Sequence, residues 1–206
     1  ELLSMSASGR SPKEEVSNST RVVDSIEELI EAKVELVIVA SPAPFHAQHS
    51  IPLIEAGIPT LIEKPVTTSI EDAKAINCAI ELHQTPVSVG YCLRYLPSAQ
   101  KLKALLDQNV IGILYNAHFE VGQHLPDWRP HKNYKDSVSA QKALGGGALY
   151  ELSHELDYAQ WLLGTLNVKH SILRKSEELA LDVEDMADIV ALTALGALAT
   201  VHLDFL

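Results

Sequence analysis

Thr60-Leu61-Ile62-Glu63-Lys64-Pro65-Val66 is the stretch from which the fold of this chain can be read. An apolar run meets a charged pair and is stopped by a proline. Proline has no N–H and a fixed φ, so it ends strand pairing. Lys64 is therefore expected at the carboxyl edge of a sheet, where α/β folds bind ligands. Upstream, residues 35–40 (Glu-Leu-Val-Ile-Val-Ala) form a run of the type buried on both faces of a parallel sheet. Downstream, residues 86–91 read as a further strand. Helical signals alternate with these strands. Ser25-Ile26-Glu27-Glu28 is a capping box for a helix to about Lys33. Residues 44–56 have helical periodicity and end at Gly57, and Ser69-Ile70-Glu71-Asp72 starts a helix to about His83. With residues 2–7 as a short strand and 11–18 as a polar loop, the rhythm is βαβαβ. That rhythm implies a doubly wound parallel sheet with right-handed crossovers.

The texture changes after Pro97. Residues 98–108 read as a helix and 113–122 as a longer strand. A polar loop over 123–140 carries Trp128, Arg129, His131, Tyr134 and Lys135. Residues 148–163 read as one helix ended by Gly164. Residues 168–175, 186–194 and 197–204 then read as consecutive strands. The last two join around Leu195-Gly196, so they are antiparallel.

Composition narrows the function. The 206 residues are 47% hydrophobic and 21% charged, ordinary for a protein with a buried core. A net charge of -11 argues against nonspecific nucleic-acid binding, which needs Lys/Arg surfaces. Cys78 and Cys92 have neither CxxC nor zinc-ligand spacing, so a disulfide framework is not expected, and Cys78 is expected in the core. No apolar stretch reaches the roughly 18 residues needed to span a bilayer. No secretory signal is visible, which makes a cytoplasmic location the default. There is no initiator Met, and both ends read as strands in progress. A piece of a longer protein is expected.

Several constellations suit small-molecule chemistry. The strand over 2–7 runs into Ser6-Ala7-Ser8-Gly9-Arg10, with no glycine-rich phosphate turn. It is therefore read as the second strand of a nucleotide fold. Ser6, Ser8 and Arg10 are placed to accept a 2′-phosphate, as NADP would require, against a solvated polar loop. Ser41-Pro42-Ala43-Pro44-Phe45-His46 turns sharply into a helix, where backbone N–H groups can face an anion or a ribose. His46 there is either a cofactor contact or a structural cap. Glu63 and Lys64 are adjacent, so their side chains are expected on opposite faces rather than paired. Lys64 at a strand end can donate to a sugar hydroxyl.

Gly145-Gly146-Gly147 leads a helix carrying Glu151, His154 and Asp157 at i, i+3 and i+6, near one face. The glycines would let a backbone approach a ligand closely. His154 is suited to general acid–base work at neutral pH. The bland alternative is a solvated helix face. One His flanked by carboxylates is not a zinc set, so no metal is expected. Tyr91 and Arg94 leave the last strand of the first domain, where Arg94 would reach substrate or cofactor, or form a structural salt bridge. Trp128-Arg129-Pro130 and Tyr134 lie on a loop, where binding groups collect.

Together, Ser41-Pro42-Ala43-Pro44-Phe45-His46, Glu63-Lys64-Pro65, Trp128-Arg129-Pro130, and Gly145-Gly146-Gly147 leading to His154 and Asp157 resemble the glucose–fructose oxidoreductase/inositol dehydrogenase/MocA family. The resemblance implies a fold of the α/β class. A partial Rossmann-like parallel sheet over residues 1–93 would precede a partial α+β domain over 94–206 with an open, mainly antiparallel sheet. It implies NAD or NADP, contacted by Ser41, Pro42, Phe45, His46, Glu63, Lys64, Trp128 and Arg129. It implies hydride transfer at a hydroxyl or keto carbon of a sugar or cyclitol, a nucleotide sugar included. Lys64 would orient substrate and polarise the hydroxyl, and His154 would carry the proton. Tyr91, Arg94, Tyr134, Glu151 and Asp157 would contact substrate. A homo-oligomer, dimer or tetramer, would form through the C-terminal sheet.

Two departures from the family pattern stand out. The family has Asp followed four residues later by His, whereas Glu151 precedes His154 by three, and an ungapped match puts Glu155 at the His position. The glycine-rich turn is also missing. The alternatives are a truncated, inactive binding or assembly module and a redox-assisted glycosidase with tightly bound NAD.

Overall fold

Two serines start helices through their side chains. Ser25 accepts from the Glu28 N–H and Ser69 from the Asp72 N–H, each satisfying an orphan donor of a first turn. The computed structural model describes residues 2–5 and 20–206 and divides the chain into two compact units, 1–90 and 91–206.

The first unit holds strands β1 (Leu2–Met5) and β2 (Thr20–Val23), helix α1 (Ile26–Glu31), strand β3 (Val37–Val39), helix α2 (His46–Glu55), strand β4 (Thr60–Ile62), helix α3 (Ile70–His83) and strand β5 (Val87–Val89). β1 and β2 form a parallel pair, and β3-β4-β5 form a parallel sheet in which Val39, Ile62 and Val89 share one register row. β2 was not foreseen from the sequence.

Ile54 of α2, Ile62 of β4, and Ile76 and Ala79 of α3 pack into one cluster. Val39 and Leu53 pack with Ile58, against Ile26 and Ile30 of α1. Burying such side chains contributes roughly 1.5–3 kcal/mol each. All three helices thus cover one face. The expectation that residues 35–40 are buried on both faces fails, since Ile38 is 59% exposed. β3 is an edge strand, and among the described residues the face opposite the helices is open at Ile38 and Ser88. Cys78 is also exposed, because α3 turns Ile76 and Ala79 inward and leaves Cys78 on its outer side.

The second unit holds helix α4 (Pro97–Asp107), strand β6 (Asn116–Gly122), helices α5 (Ala148–Glu151) and α6 (His154–Leu163), and strands β7 (Leu166–Arg174), β8 (Met186–Thr193) and β9 (Leu198–Asp204). The polar loop is a chain of short 3-10 turns at Leu125–Trp128, Tyr134–Asp136, Val138–Ala140 and Lys142–Leu144. The sheet order is β6-β9-β8-β7. β7, β8 and β9 are antiparallel and β6 is parallel to β9.

One sheet face is the core. Ala187, Val201, Leu203 and Phe205 are at most 3% exposed and pack with Leu125, Ala148, Leu152 and Ala159. The other face mixes charged side chains with apolar ones, Ile172 and Leu198 among them. Glu120, His202, Asp188 and Ile172 share one register row across the four strands. His202 bridges Asp188 through Nδ1 at 2.7 Å and Asp204 through Nε2 at 3.1 Å. Arg174 donates to the other Asp188 oxygen at 2.6 Å.

The helix expected over 148–163 is broken. Leu152 (φ -97, ψ 22) leaves the α-helical path, and the turn at Leu152 and Ser153 separates α5 from α6. The placement of Glu151, His154 and Asp157 on one continuous face is corrected accordingly.

Candidate functional site

In the first unit the site is a ledge at the carboxyl ends of β3, β4 and β5. The Glu63 N–H donates to the Val39 carbonyl at 2.9 Å and the Gly90 N–H to the Ile62 carbonyl at 2.8 Å. The ledge therefore carries the residues that follow each strand. Lys64 stands there, partly buried, before a cis bond to Pro65. Glu63 turns back on its neighbour, accepting from the Lys64 N–H at 3.1 Å. Its carboxylate lies over Gly90, where an added Cβ would sit 3.0 Å from Oε2. The expectation that Glu63 and Lys64 diverge covers their side chains, while the contact observed is to the backbone.

The turn after β3 is built differently from the expectation. Pro42 and Pro44 have no N–H. The Phe45 and His46 N–H groups donate internally, to the carbonyls of Pro42 and Ala43. These two N–H groups are therefore not available to an anion. His46 is 1% exposed, with Nε2 2.7 Å from the Ser41 carbonyl and Nδ1 3.0 Å from the Pro65 carbonyl. It ties the turn after β3 to the loop after β4 and has no open atom for a ligand. The Ser41 hydroxyl bonds His49 Nδ1 at 2.9 Å, and burial, then the charge of His46, lowers the His49 pKa. Phe45 is exposed and stacks on His49.

The donor set of this ledge fits the ribose–nicotinamide end of a dinucleotide. Glu63 supplies a carboxylate acceptor, Lys64 an ammonium, and Pro42 and Phe45 an apolar wall. Ser6, Ser8 and Arg10 lie outside the described residues.

In the second unit a separate cluster forms around the start of α6. The His154 ring meets Tyr91 edge-on, with centroids 5.6 Å apart. The Tyr91 hydroxyl lies 3.5 Å from Ser153 Oγ, and burial raises its pKa, partly offset by that bond. Arg94 Nε donates to Asp157 at 2.8 Å and Nη2 to the other carboxylate oxygen. This bidentate pair raises the Arg94 pKa. Asp157 is 10% exposed and Arg94 40%, so the guanidinium keeps an outward edge while both Asp157 oxygens are engaged. Asp157 thus fixes Arg94, and Arg94 is the group with donors to spare. Glu151 accepts from the buried Ser139 hydroxyl at 2.9 Å.

Two of the three glycines, Gly146 and Gly147, are explained by the chain itself. A Cβ on Gly146 would lie 2.5 Å from the carbonyls of Val138 and Ser139, and one on Gly147 2.3 Å from Glu184 Oε1. The close approach expected of a ligand is made by the protein's own loop. Glu184 is the residue that sequence reading missed, and only its acidic neighbourhood, Asp182 to Asp185, hinted at it.

Trp128, Arg129 and Tyr134 are brought together around a cavity of about 470 Å³, with Leu125, Lys132 and Val138. Trp128 meets Phe205 edge-on, and the Tyr134 hydroxyl donates to the Leu179 carbonyl at 3.1 Å. Among the described residues there is no group of metal-ligating side chains, and no helix is long and apolar enough to cross a membrane.

The comparisons with known proteins agree with this two-part architecture. Residues 2–91 match the family described as "Oxidoreductase family, NAD-binding Rossmann fold", and residues 99–206 match the "GFO/IDH/MocA C-terminal domain". The chain belongs to the Gfo/Idh/MocA oxidoreductase family. It is similar to inositol 2-dehydrogenase 3 of Saccharopolyspora erythraea, at 31% identity over 69% of the chain and 39% of that protein. It is also similar to levoglucosan dehydrogenase of Pseudarthrobacter phenanthrenivorans, at 28% identity over 68% of the chain and 36% of that protein. The crystal structure of a levoglucosan dehydrogenase with NADH and levoglucosan superposes with a TM-score of 0.80, at 23% identity, covering 91% of the chain and 52% of that structure. The chain spans less than half the length of these two curated relatives.

Proposed function

We propose that the full protein is an NAD(P)-dependent dehydrogenase that oxidises a hydroxyl of a sugar or cyclitol, or reduces the corresponding ketone. The observation that carries this reading is His154, held at the first turn of α6 edge-on to Tyr91 and flanked by the Arg94–Asp157 pair. An imidazole so placed suits proton transfer at neutral pH.

The ledge of the first unit takes the ribose–nicotinamide end of the cofactor, with Glu63 accepting from ribose hydroxyls. The bound cofactor would supply the hydride acceptor. Lys64 donates to the reacting oxygen and polarises it, and His154 takes the hydroxyl proton as the C–H bond gives up its hydride. The outward edge of Arg94 fixes a substrate oxygen. Trp128, Arg129 and Tyr134 extend the binding surface of the second unit. This outer sheet face is assigned to homo-oligomer contact, because it exposes Ile172 and Leu198 beside ion pairs such as Arg174–Asp188.

The test uses the full-length protein with NAD and, separately, NADP against inositol, levoglucosan and related polyols, following formation of reduced cofactor. Lys64→Ala should lower turnover by about 10²-fold or more, beyond any loss of cofactor affinity measured by direct binding. Unchanged turnover in that variant would remove the role given to Lys64.

A further inference from the structure

The Gly147–Glu184 contact joins two segments 37 positions apart in the chain, and its geometry is specific. α5 begins after Gly147, which has φ +115 and no side chain to cap the helix. The first turn of any helix leaves N–H groups without intrahelical partners. Here the carboxylate of Glu184 reaches in, accepting from the Leu149 N–H at 3.3 Å. The backbone of the same residue accepts from the Ala148 N–H at 3.0 Å.

The segment carrying Glu184 is itself anchored. Leu181 and Val183 are at most 5% exposed, and the Asp182 side chain accepts from the Lys142 N–H at 3.1 Å. Asp185 is fully buried, accepting from the Ser176 N–H at 2.9 Å and bound also by the Ser176 hydroxyl. Apolar residues alternate inward and acids reach sideways, so the segment works as a brace along the glycine turn.

We propose that Glu184 is a positioning residue for the proton-carrying His154. It supplies from a distant segment of the same chain the cap that Gly147 lacks, and so sets where α5 begins. α5 carries Glu151 and leads through Leu152 and Ser153 directly into His154. Gly147 is glycine because this carboxylate occupies the space of a Cβ. The consequence for catalysis rests on the reading of His154 given above.

The test compares Glu184→Ala and Glu184→Gln in the full-length protein. Gln keeps an oxygen that accepts from the Leu149 N–H. Amide hydrogen exchange over residues 148–154 and the His154 ring proton shift report position without any need for activity. Glu184→Ala should speed exchange in this segment about tenfold and move the His154 resonance, while Glu184→Gln stays near wild type. Turnover should fall with KM for cofactor unchanged in the Ala variant, and recover in Gln. Unchanged exchange in Glu184→Ala, or a Gln variant as disturbed as Ala, overturns the proposal. Altered exchange with unchanged turnover leaves Glu184 as the brace and removes the role of His154 instead. Should the Ala variant fail to fold, Glu184→Asp, with its carboxylate drawn back by one methylene, gives the same readouts.

Discussion

The two units solve the same problem in opposite ways. In the first, polar groups sit where strands end, and backbone pairing brings Ser41, Glu63, Lys64 and Gly90 to one ledge. In the second, polar groups sit around a helix start and are held by side chains from far along the chain. Arg94 reaches Asp157, Ser139 reaches Glu151, and Glu184 reaches Gly147. Both place a carboxylate on a glycine, but with different tolerance. Over Gly90 the carboxylate of Glu63 is the far end of a flexible side chain and can swing aside. At Gly147 the backbone already has φ +115, and the carboxylate is 0.7 Å closer to where a Cβ would be, 2.3 Å against 3.0 Å. A site built on a sheet edge therefore absorbs change that a site built on long-range pairs does not.

Substitution can break this contrast. The largest effect is expected for Gly147→Ala, which combines a strained φ with a clash and should cost about 2–5 kcal/mol by denaturant unfolding. Asp157→Ala comes next. It strips a bidentate partner from Arg94, which water can still reach, so about 1–2 kcal/mol is expected, with weaker substrate affinity in steady-state kinetics. Gly90→Ala should cost less than about 1 kcal/mol, since only the Glu63 carboxylate must move. If Gly90→Ala proved as damaging as Gly147→Ala, the contrast between the two sites would fall.

A pH titration sharpens the comparison on the sheet face of the second unit. The hydrogen bond to Asp188 raises the His202 pKa above its usual 6.5, and the bond from His202 lowers that of Asp188 below 3.8. His202 therefore stabilises the fold fully below pH 6.5, and this contribution is lost as pH rises through the raised folded value. Asp188 contributes above 3.8 and loses its share as pH falls through the lowered one. Arg174, Asp204 and Glu120 are the other charges on these strands near the ring. His202→Asn should flatten the alkaline limb of a melting-temperature profile while leaving the behaviour of the first unit unchanged.

The ledge was largely legible in the sequence, because Pro65 stops a strand and the apolar runs around it declare their spacing. Local chemistry also announced Ser25 and Ser69 as caps. What escaped was set by distant partners. Nothing local to Cys78 shows which side of α3 faces the sheet, nor that β3 lies at an edge with Ile38 in the open. The engagement of Asp157 by Arg94 spans 63 positions, beyond the reach of helical periodicity. The prolines of the turn after β3 were visible, and they mark that turn as poor in N–H donors.

The break at Leu152–Ser153 reaches beyond the helix that it interrupts. A continuous helix is a ruler, in which counting from Gly147 would fix the direction of every later side chain at about 100° per residue. With two short helices the ruler carries one offset, at Leu152, so the start of α5 still sets where α6 begins but not by a straight count. Counting along the chain from Gly147 therefore does not choose between His154 and Glu155. The Tyr91 ring meets that of His154, three residues before Asp157.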